Sequence, residues 1–184
     1  MAELADTIAN LNDVTFPAFG LACSLPSTDE FTRVVAQELS NVASSMPCFA
    51  GMAEIVATLA MSYPTYIVSA SPDSAIQAVL NDAGCGQNLA GILGCDTAGT
   101  KSQKLAQIRA RHQPIEQLVM VGDAVSDIRA SHAVGAHSVA VGWGWQPASR
   151  LLAEKPDAFA NHVDELLPLL SRLIIEPVVL GEPL

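Results

Sequence analysis

The sequence predicts an α/β fold, a three-layer Rossmann-like arrangement in which a parallel sheet is covered by helices, preceded by a small helical segment. Three observations carry that prediction. From Gly51 onward, short apolar runs alternate with stretches of helical period, and repeated strand-helix units of this kind build parallel sheets. The runs themselves, such as Thr65-Tyr66-Ile67-Val68 and Leu118-Val119-Met120-Val121, lack polar alternation, as strands buried on both faces do. Half of the 184 residues are apolar, enough for one sizeable core with at most a small appended subdomain.

The elements follow in order. Leu4, Ile8 and Leu11 mark one short helix, and Ser27-Thr28-Asp29-Glu30 resembles a capping box ahead of Phe31, Val34, Val35, Leu39 and Val42. Pro17 and Pro26 bracket the loop between them, and Pro47 marks the start of the α/β part. Residues 1–46 are therefore read as a helical cap, 47–173 as the core and 174–184 as a tail. In the core, Ile55, Val56 and Leu59 give Gly51 to Ser62 a helical face, and Thr65 to Val68 is a buried strand. Pro72 and Asp73 start the next helix, with Ile76, Val79 and Leu80 on its apolar face and Gly84 as its stop. Gly91 to Leu93 is a weaker strand and Lys101 to His112 a helix. Leu118 to Val121 is a strand, Asp123 to Val134 a helix closed by Gly135, and Ser138 to Val141 a strand. The tail Ile174-Ile175-Glu176-Pro177-Val178-Val179-Leu180 reads as an edge strand, because Pro177 argues against a central one.

Composition excludes several classes of function. A formal charge of −10, a pI near 4.6 and only nine Lys and Arg argue against nucleic acid or an anionic membrane as the main partner. Cys23, Cys48, Cys85 and Cys95 have no CxxC or metal-ligand spacing, so buried thiols in a reducing compartment are expected. No positively charged apolar segment opens the chain, and no run of about 18 apolar residues occurs. The cytoplasm is the expected compartment.

The candidate chemistry lies where strands end. Gly122-Asp123 follows a buried strand directly, at the carboxyl edge where open α/β sheets bind ligands. Asp127 lies one helical turn on, on the same face. Two carboxylates held this way suit Mg2+; as helix-start acids they are equally favoured by the helix dipole. Ser69 follows another strand, and its hydroxyl with the backbone amides of Ala70 and the helix start beyond would cradle an anion, or serve as an ordinary cap. Lys101 opens a helix, where a cation is unfavourable to the dipole, so neutralising a phosphoryl group is one reason for its presence. Lys104 is read as a solvated face residue, and so is the basic helix containing Arg109 and Arg111. His112, His132, His137 and His162 share no ligand spacing, and Trp143 and Trp145 are read as core packing.

Taken together, Ser69, Lys101 and Gly122-Asp123-Ala124-Val125-Ser126-Asp127 resemble motifs II, III and IV of the haloacid dehalogenase superfamily. Ile67-Val68-Ser69-Ala70-Ser71, Val119-Met120-Val121-Gly122-Asp123, Val141-Gly142-Trp143-Gly144 and Lys155-Pro156-Asp157-Ala158 are similar to its phosphoglycolate-phosphatase-like branch. The resemblance spans Pro47 to about Leu170. It implies Mg2+-dependent hydrolysis of a small phosphate monoester. Asp123 and Asp127 would hold the metal, Lys101 would screen the phosphoryl charge as a catalytic residue, and Ser69 with the Ala70 amide would grip its oxygens.

The family's first motif, Asp-x-Asp-Gly-Thr, supplies the nucleophilic aspartate and a general acid-base, and it has no counterpart here. Leu4-Ala5-Asp6-Thr7-Ile8 resembles the segment after that motif's threonine, so Met1, Ala2 and Glu3 stand where its second Asp, Gly and Thr would be. Neither Asp6 nor Asp13 follows a strand, and no nucleophile is assigned. In the family this motif sits on the central strand, between the strands that here end at Val68 and Val121. Removing about five residues of central strand strips two ladders of partners, at roughly 1–3 kcal/mol per buried unsatisfied group. That rivals the 5–15 kcal/mol that typically holds a domain together. Either the neighbours close up and pair, the tail, a second copy or a partner chain fills the gap, or the natural protein begins earlier, which is the most economical account. As written, the chain is expected to hold Mg2+ weakly and not to turn over. The competing reading is a non-catalytic descendant that binds a phosphorylated metabolite or a protein, or a structural subunit completed by another chain.

Overall fold

The structure, a computed structural model, describes residues 48–115 and 117–175. The predicted cap lies outside the described residues, as does the tail from Glu176. Helix α1 (Met52–Ser62) leads into β1 (Tyr66–Val68), α2 (Asp73–Asp82), β2 (Gly91–Leu93) and α3 (Lys101–Arg111). The second half runs β3 (Val119–Gly122), α4 (Val125–Ala133), β4 (His137–Val141), α5 (Ala148–Ala153), β5 (Ala158–Ala160), a short 3-10 turn (Val163–Glu165) and α6 (Leu166–Ile175). The strand-helix alternation predicted from the apolar runs is present. The elements after Val141 were not among those predicted, and Ile174 and Ile175 continue a helix rather than begin an extended tail.

All strand pairing is parallel, but it falls into two sheets. β1 pairs with β2, Ile67 opposite Ile92, while β3 pairs with β4 at Val121 and Val139, and β4 with β5 at Ala140 and Phe159. Among the described residues β1 and β3 are not bonded to each other, so the two neighbours have not closed up. Peptide groups in a parallel strand point alternately to either side. The Ala90 amide donates to the Thr65 carbonyl at 2.8 Å and the Ser69 amide to the Leu93 carbonyl at 3.2 Å, so the peptides of Tyr66 and Val68 face the other edge. On β3, the His137 amide donates to the Leu118 carbonyl at 2.8 Å, which turns the peptides of Val119 and Val121 away from β4. Among the described residues these two edges, of β1 and of β3, carry no strand partner.

Helices hold the halves together. On one face Leu105 and Ile108 of α3 and Ala130 of α4 form a cluster against Tyr66 and Val68 of β1, Leu93 of β2, and Leu118 and Met120 beside and within β3. A single helical layer therefore packs on both half-sheets. The alternate β3 side chains, Val119 and Val121, point to the opposite face, where Ile55 of α1 and Leu166 and Leu170 of α6 pack with Val139. A third cluster, Val125, Ile128, Ala140 and Leu151, seats α4 and α5 on β4.

At the amino end of β4 the chain is pinned by a carboxylate. Asp157 Oδ2 accepts from the Ser138 amide at 2.7 Å and the Ser138 hydroxyl at 2.9 Å, and the His132 ring lies 3.2 Å from that hydroxyl. Desolvation pushes the Asp157 carboxyl up, but the Ser138 bonds and the neighbouring His137 and His132 outweigh it and hold it below its ordinary value. A carboxyl depressed by folding stabilises above its unfolded pKa and loses that contribution as pH falls through the folded one. Asp157→Asn is accordingly expected to lower stability at about pH 7, with the gap from wild type narrowing as pH falls below the ordinary aspartate pKa of about 3.9. Urea melts across that range read it, and a gap that persists undiminished into acid would contradict the assignment.

Candidate functional site

The carboxyl ends of β1 and β3 and the amino end of α3 meet at one place. A capping box makes α3 start there. Thr100 Oγ1 accepts from the Gln103 amide at 3.3 Å, and Gln103 Oε1 accepts from the Thr100 amide at 2.8 Å. Lys101 therefore sits in the first turn of the helix, and its ammonium forms an ion pair with Asp127 Oδ1. Asp127 is 4% exposed, and its other oxygen accepts from the Ala124 amide at 3.1 Å. Gly122 makes this approach possible, since any Cβ there would overlap the Asp127 carboxylate. The helix-dipole penalty on Lys101 is thus offset by a buried carboxylate from the neighbouring helix.

Asp123 is held by the loop after β4. Its Oδ2 accepts from the Trp145 amide at 2.6 Å, its carbonyl accepts from the Gln146 amide at 3.3 Å, and Gln146 Oε1 accepts from the Val125 amide at 2.8 Å. Gly144 lies so close that a side chain would collide with Asp123. Of the two tryptophans, Trp143 packs against the core while Trp145 is 70% exposed beside Asp123, so the core reading fails for Trp145.

Ser69, Ala70, Thr97, Gly99, Lys101 and Lys104 line one cavity of about 310 Å³. The predicted phosphate-binding set, Ser69, Ala70 and Lys101, is brought together there. The cradle is narrower than predicted, however. The Ser71 amide is taken by Ser69 Oγ at 3.0 Å and the first amide of α2, Asp73, by Asp96 Oδ2 at 2.8 Å. The Ser69 hydroxyl and the Ala70 amide remain as the donors from this loop.

Several side chains depart from expectation. Lys104 is buried, with Nζ donating to the Gly94 carbonyl at 2.7 Å; residues 101, 104, 105 and 108 form the inward stripe of α3. Arg109 is not a solvated residue either, because its guanidinium clamps the Val134 and Gly135 carbonyls at 3.0 and 3.2 Å. Cys85 is buried, but Cys48 and Cys95 are exposed. At Cys95, on the cavity wall, desolvation and then the Asp96 and Asp73 carboxylates push the thiol up, which disfavours a thiolate nucleophile. His112 lies 2.7 Å from the Tyr66 hydroxyl rather than standing free on the surface.

The metal reading of Asp123 and Asp127 meets a closed arrangement. Both Asp127 oxygens and one Asp123 oxygen are already bonded, and the Lys101 ammonium supplies the charge a cation would bring. Among the described residues no cluster of three or more His, Cys, Asp or Glu forms a metal-ligand set. Mg2+ is commonly held through one or two carboxylates together with waters and substrate phosphates, so Asp123 and Asp127 remain candidate ligands.

Comparison with known proteins bears on the family and the fold. Residues 98–166 match the family model described as HAD-hydrolase-like. A phosphoglycolate phosphatase of Synechococcus elongatus is 30% identical over 147 residues, which cover 76% of this chain and 67% of that protein. The pyrophosphatase PpaX of Bacillus mycoides is 40% identical over 58 residues, 32% of this chain and 27% of that protein. Among solved structures, a haloacid dehalogenase-like family protein of Streptococcus pneumoniae superposes with a TM-score of 0.66 at 22% identity, covering 89% of this chain and 86% of that one. At that identity the likeness is one of fold. Among the described residues, no helix is long and apolar enough to cross a membrane.

Proposed function

The chain belongs to the haloacid dehalogenase-like hydrolase family, and on that premise we propose that it binds a small phosphate monoester of the kind handled by phosphoglycolate-phosphatase-like members. The observation that carries this is the convergence of Ser69, Ala70 and Lys101 on one cavity at the sheet's carboxyl edge. The Ser69 hydroxyl and Ala70 amide donate to phosphoryl oxygens, and Lys101 screens their charge. Asp127 acts through Lys101, fixing its ammonium over the cavity. Asp123, tied to the Trp145 loop, holds the opposite rim. Mg2+, which family members use to neutralise phosphoryl charge, binds weakly in this reading, because the carboxylates offered to it are already engaged. The protein works in the cytoplasm.

Hydrolysis by the family route needs a carboxylate nucleophile facing the phosphoryl group, and that role is assigned to neither Asp123, held through one oxygen by the Trp145 amide, nor Asp127, paired with Lys101. The reading is therefore of a phosphate-binding member that does not turn over by the family route. A second reading is favoured by one observation, that among the described residues β1 and β3 each present an edge without a strand partner: a strand from another chain, or from a second copy, completes the sheet.

Calorimetric titration with inorganic phosphate tests the first reading, alongside a phosphatase assay with a generic aryl phosphate and Mg2+. Phosphate is expected to bind, with Ser69→Ala and Lys101→Met each weakening it on the order of tenfold, the worth of one charge-assisted hydrogen bond. Hydrolysis is expected to stay at background. Hydrolysis abolished by Asp123→Ala would overturn the non-catalytic part, and failure of phosphate to bind would overturn the site. A melting temperature that climbs with protein concentration would favour the completed-sheet reading.

A further inference from the structure

Trp145 carries an exposed indole at the edge of the candidate site. It is 70% exposed, although tryptophan is highly buried on average. Its neighbours do not share that exposure. Trp143 packs against the core and Gln146 is 9% exposed, so the chain turns inward on either side of one outward ring. The site itself imposes the outward position. The Trp145 amide donates to Asp123 Oδ2 at 2.6 Å and the Gln146 amide to the Asp123 carbonyl at 3.3 Å. Gln146 Oε1 accepts from the Val125 amide at 2.8 Å, and a side chain on Gly144 would collide with Asp123. At the base of the loop the Gly142 amide donates to the Ala160 carbonyl at 2.9 Å. Backbone clamped at these points cannot roll the indole inward without releasing Asp123.

An aromatic ring on a fixed backbone is a pre-organised contact surface, because its few torsions cost little to order when a ligand covers it. Position gives the occupant. Lys101 lines the cavity with Ser69 and Ala70 and pairs with Asp127. Asp127 packs against Gly122, and the next residue, Asp123, holds the Trp145 amide. One run of contacts therefore leads from the phosphate-binding end to the indole along the carboxyl edge of β3. A ligand held by its phosphoryl group at Ser69 and Lys101 meets that rim with whatever lies beyond its ester oxygen. An indole face is flat and apolar, with a single donor at its edge, so its best complement is another flat ring, offset or edge-on.

We propose that Trp145 is the specificity-determining residue for the organic part of the ester, and that this part carries a flat aromatic ring, an aryl group or a nucleotide base, which packs on the indole. The inference rests on the reading that Ser69, Ala70 and Lys101 hold the phosphoryl end. It keeps the phosphate monoester of that reading and adds the chemistry of the group beyond the ester oxygen. Asp123 serves the ring indirectly, by fixing the backbone from which the indole projects.

Calorimetric titration of the full chain, without divalent cation, compares inorganic phosphate, cyclohexyl phosphate, phenyl phosphate and adenosine 5′-monophosphate on wild type, Trp145→Phe and Trp145→Ala. Wild type is expected to bind a ring-bearing ester about fivefold tighter than cyclohexyl phosphate, which matches phenyl phosphate in size but is not flat; that is the worth of one aromatic pair beyond its buried area. Trp145→Phe keeps a ring and should keep most of the preference, whereas Trp145→Ala should bring the esters to within about twofold of one another. Tighter binding of phenyl phosphate identifies aryl phosphates as the ligand class, and tighter binding of the nucleotide identifies nucleotides. Acrylamide quenching, read as the difference between wild type and Trp145→Phe, isolates this indole, since the chain has two tryptophans. The indole is expected to be open in the free protein and shielded by the ring-bearing ester. Shielding already present in the free protein means that another part of the chain covers the ring, and overturns the proposal. Equal binding of the cyclohexyl and ring-bearing esters, or a preference that survives in Trp145→Ala, overturns it while leaving the phosphate site standing. If neither inorganic phosphate nor any ester binds wild type, both readings fall.

Discussion

Asp127→Ala is expected to lower stability by about 3 kcal/mol and to weaken phosphate binding at the same time. The carboxylate it removes is 4% exposed, neutralises Lys101 and satisfies the Ala124 amide. Stripping one partner from a buried ion pair typically costs about 3–5 kcal/mol, because the other charge is left uncompensated. Lys101 retains 24% side-chain exposure and regains some hydration, which favours the low end. The released ammonium also loses its fixed position over the cavity, so anion affinity falls with stability. Asp127→Asn preserves the shape and the bond from the Ala124 amide, and its stability should lie between the two. Urea denaturation with paired phosphate titrations measures both effects. A loss under about 1 kcal/mol, the scale of an exposed pair, would mean that the Lys101 contact contributes little in solution.

Ile128→Ala should be as damaging to the fold and far milder at the site. Ile128 is 1% exposed and belongs to the cluster that seats α4 and α5 on β4. Truncating a side chain in such a place costs about 2–5 kcal/mol, from lost transfer energy and the cavity left behind. The carboxylate beside it in sequence points the other way, toward Lys101. Phosphate affinity of the folded fraction is thus expected to hold within about twofold. Comparable losses of affinity in Ile128→Ala and Asp127→Ala would show that the orientation of α4, rather than the Asp127 charge, governs binding.

Much of this was legible from residues alone. Tyr66-Ile67-Val68 and Val119-Met120-Val121 announce strands because β-branched and apolar residues run without polar interruption, and Gly135 stops α4 where it was expected. Ser69, Lys101 and Asp127 converge as their places after strands and at a helix start imply. Lys104 was misread because its charge was weighed above its phase. Lys104, Leu105 and Ile108 follow Lys101 by three, four and seven residues, the pattern of a buried stripe, and the Thr100-x-x-Gln103 box that sets that phase was also present in the sequence. Trp145 could not be read, because aromatic content predicts burial while the Asp123 carboxylate holds that backbone at the rim. β5, three residues of Ala158-Phe159-Ala160, is too short to carry a period of its own and exists because β4 offers it an edge.

The division of the sheet also changes what sets the width of the site. In an unbroken sheet, the spacing between residues on neighbouring strands is fixed by rungs of hydrogen bonds about 4.8 Å apart. No such rungs join β1 to β3 among the described residues, and among those residues the span from Ser69 to Asp123 is bridged by α3, which packs against both strands. That helix works as a crossbeam, and Leu105 and Ile108 are its bearings. Side chains beneath the helix that never touch a ligand thereby act on the aperture of the cleft, and a tilt of α3 would be felt at both rims together.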